Sequence, residues 1–452
     1  MLTLRSLGGA GTVTGSKHLL SSGDHRLLVD CGLFQGLKNL REQNWAPLPI
    51  QADNIDAVVL THAHLDHSGY LPRLVRDGFR GPIVSTEATR DVAELILKDS
   101  GHLQEKDAEY ANRKGFSRHS PALPLYGVHD AEHAMSFFRT APLHQNVSLP
   151  GGATLQLRRT GHILGAASAE IRWAGRTIVF SGDLGRYGDP VMVDPEPVPE
   201  ADYIVIESTY GNRLHDHADP AAALGDIIER TASRGGTTVI PAFAVGRAQA
   251  LLYYLWQLKQ NGRLRNIPVY LDSPMATSAS ELLCRHHEDH RLSAGTCAQA
   301  CNVATYVRTV DESKALSANT YPKVIISASG MATGGRVLHH LVAFVQDHRN
   351  TVLFSGFQAA GTRGRDMLQG AREIRMFGQW IPVRAEVSEL PMLSAHADAA
   401  ELMRWLSGFR RAPQRVFIVH GEPEAAEALR MRIGRELGWN AVVPRQDQAF
   451  TL

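Results

Sequence analysis

Apolar residues follow two rhythms along the chain. Over roughly the first 210 residues they come as short runs at 2–7, 17–20, 26–29, 57–60, 83–85, 155–158, 177–180 and 203–206. These runs are brief and rich in branched residues, so each predicts a buried strand. Residues 8–15 form a glycine-rich turn ending at Ser16, and they join the first two runs as a tight hairpin. The turn lacks the Gly-Lys-Ser/Thr ending of a phosphate loop. Residues 70–76 predict a short helix. Residues 86–114 place Val92, Leu95, Ile96 and Leu103 at helical spacing among charges, which predicts a long, largely exposed helix. From about Ala218 strands and helices alternate. A helix at 220–234 with Leu224, Ile227 and Ile228 on one face precedes a strand at 237–240 and a helix running through Leu258. Strands follow at 269–271, 324–327 and 351–354. Repeated strand–loop–helix units predict a parallel sheet with ligand-facing loops at the carboxyl ends of its strands. Each glycine-rich loop there reads equally as a turn or as a cradle for phosphate at a helix N-terminus. A last strand at 416–419 and a helix reaching Leu437 close the pattern.

The strand at 57–60 runs into Thr61-His62-Ala63-His64-Leu65-Asp66-His67-Ser68-Gly69. If it continues to His64, His62 and His64 share one side, and Asp66 and His67 fall in the turn beyond. Imidazole and carboxylate suit a divalent ion such as zinc, and four such groups exceed one ion's share. The stretch therefore predicts a dinuclear metal centre. Further ligand-type residues stand at the ends of other strands: Asp30, Asp183, Glu207 and His420, with His162 in a loop after the strand at 155–158. His162 and Asp183 add an imidazole and a carboxylate able to bridge two ions. Asp30 occupies the position of a residue that orients a ligand histidine from behind; without the motif it reads equally as a turn residue before Gly32. His396 stands just ahead of a helix whose start carries Asp398 and Glu401 in capping-box spacing. His102, His119, His129, His133 and His144 have no paired neighbour at metal spacing and are assigned no role. Cys284, His286, His287 and His290, followed by Cys297 and Cys301, fit no zinc template and predict an exposed helix and loop.

Composition narrows the surroundings. In 452 residues, 47 Lys and Arg face 46 Asp and Glu, a net charge of +1 that excludes a global basic field. A nucleic-acid substrate would have to be held by a local groove and by the metals. No signal-peptide pattern begins the chain, and no run of about 18 apolar residues would cross a membrane. Four cysteines (Cys31, Cys284, Cys297 and Cys301) give no disulfide framework. The expectation is a soluble, cytoplasmic protein.

The HxHxDH stretch with its following Ser-Gly resembles the metallo-β-lactamase superfamily. The order of the remaining residues resembles its β-CASP branch of RNA-processing nucleases over essentially the whole chain. Asp30, His62-x-His64-x-Asp66-His67, His162 and Asp183 match the four superfamily motifs, and Glu207, His396 and His420 match the three further β-CASP motifs. The stretches Ser329-Gly330-Met331-Ala332-Thr333-Gly334-Gly335-Arg336 and Ser355-Gly356-Phe357-Gln358 also look typical of the inserted domain. The resemblance implies an α/β fold, a four-layer αββα domain at 1–208 completed by 390–452, with an α/β β-CASP domain inserted at 209–389 and roofing the cleft. It implies one zinc on His62, His64, His162 and Asp183, and another on Asp66, His67, Asp183 and His420, with manganese as the alternative ion. Asp66, Glu207 and His396 would be catalytic, and Asp30 would support the ligands. Arg247, Ser355, Thr362 and Ser394 would contact phosphate. The implied activity is hydrolysis of single-stranded RNA, endonucleolytic or 5′→3′ exonucleolytic, leaving 5′-phosphate and 3′-hydroxyl ends; the further expectations are a homodimer and no membrane partner. Neither the appended C-terminal domain of RNase J nor the KH domains of archaeal relatives has a counterpart here, so weak intrinsic affinity for RNA is expected. Three rivals remain: a DNA nuclease of the same fold, a small-molecule metallohydrolase, and a catalytically inactive RNA-binding scaffold.

Overall fold

A computed structural model describes residues 1–452 except Phe116, Arg118, His217 and Arg265. It divides the chain into two compact units. The first combines Met1–Leu214 with His396–Leu452, and the second is His215–Ala395.

The first unit is built on two sheets of seven strands. One runs in the order Ala449–Thr451, Leu2–Gly8, Lys17–Ser22, His25–Val29, Ala57–Val59, Ile83–Ser85, Phe138–Thr140. The other runs Ala441–Val442, Arg415–Ile418, Tyr203–Ile206, Arg176–Phe180, Ala167–Trp173, Thr154–Arg159, Val147–Ser148. Antiparallel hairpins form one side of each sheet, and the central strands are parallel. Alternation explains how the sheets meet. Leu2 and Leu4 are buried while Thr3 and Arg5 are half-exposed, and Leu155 and Leu157 alternate with Thr154 and Gln156 in the same way. The inward residues form one core with Leu27, Val29, Val59, Ile171, Phe180, Val205 and Phe417 between the sheets. Parallel strands covered on both faces should be continuously apolar, and Ala57–Val59, Tyr203–Ile206 and residues 416–418 are fully buried. The far side of the second sheet, through Val179, Ile204 and Ile206, is covered by Leu402, Trp405 and Leu406 of helix Ala399–Leu406 and by Leu429 and Ile433 of helix Pro423–Leu437. On the first sheet, helix Glu87–Lys114 packs on strand Phe138–Thr140 and on helix Val128–Met135. The layers are therefore αββα.

Helix Glu87–Lys114 is less exposed than its charges predict. It buries Val92, Ala93, Ile96, Leu97 and Gly101. A β-carbon at Gly101 would stand 2.7 Å from the backbone of Gly127, so glycine allows the two segments this close approach.

The second unit is a doubly covered parallel sheet in the order Thr305–Tyr306, Val269–Asp272, Val324–Ser327, Thr238–Pro241, Thr351–Phe354, Glu386–Glu389. One face packs on Leu251, Leu252 and Leu255, the other on Val337, Leu341 and Phe344. At a strand's carboxyl end, Asp272 accepts from Arg336 at 2.6 Å and from His340 Nε2 at 2.7 Å, which pins the glycine-rich loop before Arg336. Four cysteines in so long a chain give no disulfide framework, yet one bridge is present. Cys284 and Cys297 are joined, because the chain reverses between helices Pro274–Arg285 and Ala294–Cys301. Among the described residues, no helix is long and apolar enough to cross a membrane.

Candidate metal centre

The strand carrying the histidine motif ends at Val59 and does not reach His64. Instead residues Leu65–Ser68 form a single helical turn with His64 as its N-cap. The Ser68 hydroxyl makes the reversal by donating to the carbonyls of Ala63 at 2.8 Å and His64 at 3.1 Å. His62 and His64 therefore converge through a turn rather than along one strand face, and Asp66 and His67 follow within the same turn. The turn rests on Gly32, where a β-carbon would stand 1.6 Å from the Asp66 carbonyl oxygen. We expect Gly32→Ala to displace Asp66 and His67 and to lower bound metal in the purified protein, read by elemental analysis; unchanged content would show that the turn can give way.

Two groups of ligand atoms result. His62, His64, His162 and Asp183 bring theirs within 4.8 Å of one another, and so do Asp66, His67 and His420. Asp183 faces both. Its Oδ2 lies 3.4 Å from His62 Nε2 and 3.5 Å from His162 Nε2. Its Oδ1 lies 3.3 Å from His67 Nε2 and 3.6 Å from His420 Nε2. The hydrogen bonds behind the rings fix which nitrogen points inward. His62 Nδ1 meets Thr61 Oγ1 at 3.1 Å, and that hydroxyl donates to Asp30, so the ring nitrogen carries the proton. His67 Nδ1 meets Asp30 Oδ2 at 2.8 Å, and His420 Nδ1 meets Ser16 Oγ at 3.0 Å. The inward atoms His62 Nε2, His67 Nε2 and Asp183 Oδ1 are buried with no hydrogen-bond partner. Buried polar atoms without partners are rare and costly. Histidine nitrogens and a carboxylate oxygen aimed at common points are the donor set that divalent zinc takes.

Electrostatics agree. Burial first, and then the carboxylates of Glu207, Asp66 and Asp30, push the Asp183 carboxyl well above its ordinary range. Burial pushes Asp30 up to about 8, against the hydrogen bonds from Thr61, and Asp66 up to about 6. Burial and the neighbouring imidazoles hold His62 and His67 well below theirs, and His420 is lowered to about 3 chiefly by burial. Neutral imidazoles and carboxylates lacking a compensating charge are what a cation would stabilise.

Backbone conformation contributes. Asp30 and His420 have φ of 59° and 48°, a left-handed region uncommon for residues with side chains. The His162 loop is held from helix Glu87–Lys114, where the Thr86 and Thr89 hydroxyls both donate to the Gly165 carbonyl, at 2.7 and 2.8 Å. Asp30→Asn would weaken the hold on His67 and Thr61. Supporting groups of this kind are worth about 10–100-fold in metal affinity, measurable by competition with a chelator.

Beside Asp183 lies a third group. Glu207 Oε1 accepts from the Leu184 backbone at 2.6 Å, and its Oε2 meets His396 Nδ1 at 3.1 Å. Burial would raise the Glu207 carboxyl, but the charge and hydrogen bond of His396, with His420 and Thr209 adding to them, leave it below the ordinary value. Asp398 caps the helix after His396 in a complete capping box with Glu401. The sequence gives no hint of Ser16 and Thr61 as partners of the ligand histidines. Both are ordinary residues whose roles depend on distant segments.

The four phosphate-contact residues all lie in the second unit. Arg247 is the buried first residue of helix Arg247–Gln260, and a β-carbon on Gly356 would lie 3.9 Å from its Nε. Ser355 follows strand Thr351–Phe354, and its hydroxyl is buried with no hydrogen-bond partner. Thr362 caps helix Arg363–Leu368 and already donates its proton to the Ala359 carbonyl at 2.7 Å, which suits it to structure rather than to phosphate. Ser394 is buried after a short helical turn.

Two face-to-face sheets with this histidine–aspartate cluster at their strand ends define a metal-dependent hydrolase of the metallo-β-lactamase superfamily, whose family model matches residues 15–224. Models of the Beta-Casp domain and of the Zn-dependent metallo-hydrolase RNA specificity domain match residues 248–367 and 380–444. The chain is 38% identical to Ribonuclease TTHA0252 of Thermus thermophilus over 93% of its own length and 94% of that protein's. It is 32% identical to the transcription termination factor FttA of Methanosarcina mazei over 96% of its own length and 69% of that protein's. A crystal structure of a protein of unknown function from Enterococcus faecalis V583 shares the fold over the full length of both chains, with a TM-score of 0.54 at 14% identity. The chain belongs to the β-CASP family of metallo-β-lactamase-fold hydrolases.

Proposed function

We propose that the protein is a zinc-dependent ribonuclease that hydrolyses phosphodiester bonds of single-stranded RNA, with 5′-phosphate and 3′-hydroxyl products. The observation that carries this reading is the placement of Asp183, whose two oxygens face two ligand groups while Glu207 and His396 stand alongside. Its relatives include a protein named as a ribonuclease, and residues 380–444 match an RNA specificity domain.

His62, His64, His162 and Asp183 would hold one ion, and Asp66, His67, Asp183 and His420 the other. When bound, such a pair lowers the pKa of water and neutralises charge on phosphoryl oxygens. The chain's own residues would do the rest. Glu207 fixes His396 with Nδ1 turned to the carboxylate, which leaves Nε2 to deliver a proton to the departing 3′-oxygen. His396 is partly open, with 16% of its side chain exposed, so it can regain that proton from solvent. Asp30, Thr61 and Ser16 keep the ligand rings from turning. Arg247 and Ser355 would meet phosphates of the strand.

The test uses a 5′-monophosphorylated single-stranded RNA labelled separately at each end, with metal-loaded protein and His396→Ala as control. Fragments that require His396 support the reading, and their lengths distinguish internal cutting from stepwise release of mononucleotides. Equal cleavage of a matched DNA strand would remove the preference for RNA. Intact RNA in the presence of bound metal would turn the assignment towards a small-molecule ester.

A further inference from the structure

Helices Pro274–Arg285 and Ala294–Cys301 of the second unit pack against each other. Cys284 stands in the last turn of the first. Cys297 and Cys301 are four residues apart on the second and so share a face. The three sulfurs lie within 4.8 Å of one another, and Cys301 Sγ is 3.8 Å from Cys284 Sγ. Cys284 and Cys297 are bridged, and Cys301 is not. A bridge uses two sulfurs and does not account for a third in contact with it.

We propose that the three cysteines, once reduced, form a binding site for a thiophilic divalent cation of the zinc class, separate from the histidine centre. A tetrahedral ion with metal–sulfur bonds of about 2.3 Å spaces its sulfurs about 3.8 Å apart, the separation of Cys301 from Cys284. Cys297 is buried and Cys301 half-buried, while Cys284 is exposed. The ion would thus have two sheltered thiolates, and its fourth position would open to solvent beside Cys284.

The rival use of a third cysteine is attack on the bridge. That needs a ready thiolate, and burial pushes the Cys301 thiol up, against the hydrogen bonds it makes. A cation, by contrast, displaces the proton directly. Two equivalents of a thiol reductant give two electrons and two protons to the Cys284–Cys297 bond and become a disulfide. The three thiols then bind the ion and release three protons. The result is a clip between two helix ends, on the helix that begins straight after Asp272, whose carboxylate holds Arg336 and His340.

Cobalt tests the site, because thiolate-to-cobalt charge transfer in the near ultraviolet reports sulfur ligands alone and the histidine centre has none. Full-length protein, stripped of metal and reduced without oxygen until all four thiols react in denaturant, is titrated with Co2+. The expected result is a charge-transfer band that saturates within three equivalents, two of which the histidine centre can take without adding to it, that is removed by Zn2+, and that is missing from Cys284→Ser and Cys301→Ser proteins that keep basal hydrolysis. No band from the fully reduced wild type overturns the proposal, as does a band that survives in both variants, since Cys31 would then be its source. A second measurement needs no variant. At free Zn2+ about ten times its Kd, alkylation of Cys284, Cys297 and Cys301, followed residue by residue by mass spectrometry, should slow about tenfold. Unchanged alkylation rates also overturn it.

Discussion

Asp183→Asn is expected to purify with clearly fewer than two ions per chain and to hydrolyse RNA about 10³-fold more slowly or worse, since Lewis-acid stabilisation of a phosphoryl group is worth several kcal/mol. The side chain of Asp183 is buried and turns one oxygen to His62 and His162 and the other to His67 and His420. An amide keeps the shape, loses the charge and replaces one oxygen with a donor that no cation accepts. Whichever way it flips, one ligand group loses its carboxylate. Unfolding would give the same loss for a trivial reason, and the electrostatics separate the two. In metal-free protein the Asp183 carboxylate is destabilised by burial and by Glu207, Asp66 and Asp30. Replacing it by a neutral group should leave the melting temperature of the metal-free variant equal to or above that of metal-free wild type. Elemental analysis, cleavage rates and a thermal scan decide the matter together. A variant that retains two ions would show that Asp183 does not bridge.

His396→Ala should behave differently. It belongs to neither of the groups formed by His62, His64, His162 and Asp183 or by Asp66, His67 and His420, so metal content should stay at the wild-type level. Hydrolysis of RNA should fall by about 10²–10⁴, the usual contribution of a positioned proton donor. The deficit should nearly vanish with a p-nitrophenyl phosphodiester, whose leaving oxygen departs without a proton. Equal losses on both substrates would assign His396 to charge stabilisation or to folding instead. Glu207→Gln should show the same pattern in weaker form, because Glu207 acts through the ring it orients.

Much of this was legible in the chain itself. His62, His64, Asp66 and His67 lie within one turn of each other, so local spacing alone exposes them. Asp30, Asp183, Glu207 and His420 each follow a short apolar run, and strand ends are where an α/β fold gathers its chemistry. Convergence was not legible, because strand order is not sequence order: Tyr203–Ile206 pairs with Arg415–Ile418 across the whole second unit. The motif's geometry departs from an extended strand for a local reason: strand pairing stops at Val59, and the chain turns into the helical turn Leu65–Ser68, which the Ser68 hydroxyl closes on the carbonyls of Ala63 and His64. The helix Glu87–Lys114 was expected to be largely exposed because its burial depends on small residues such as Ala93 and Gly101, which carry little periodic signal. The cysteine cluster escaped spacing templates because its closure depends on a reversal between two helices.

The Ser16–His420 hydrogen bond joins residues 404 positions apart, and strand Ala449–Thr451 pairs with Leu2–Gly8. The centre is thus stitched from segments on either side of the second unit, and it cannot close until both have been synthesised. A nascent chain that has emerged only through the second unit has His62, His64, His67 and His162 but neither His396 nor His420. If the protein cuts RNA as proposed, it is harmless to the message it is being translated from until the segment carrying His396 and His420 has been made. Topology alone supplies the delay.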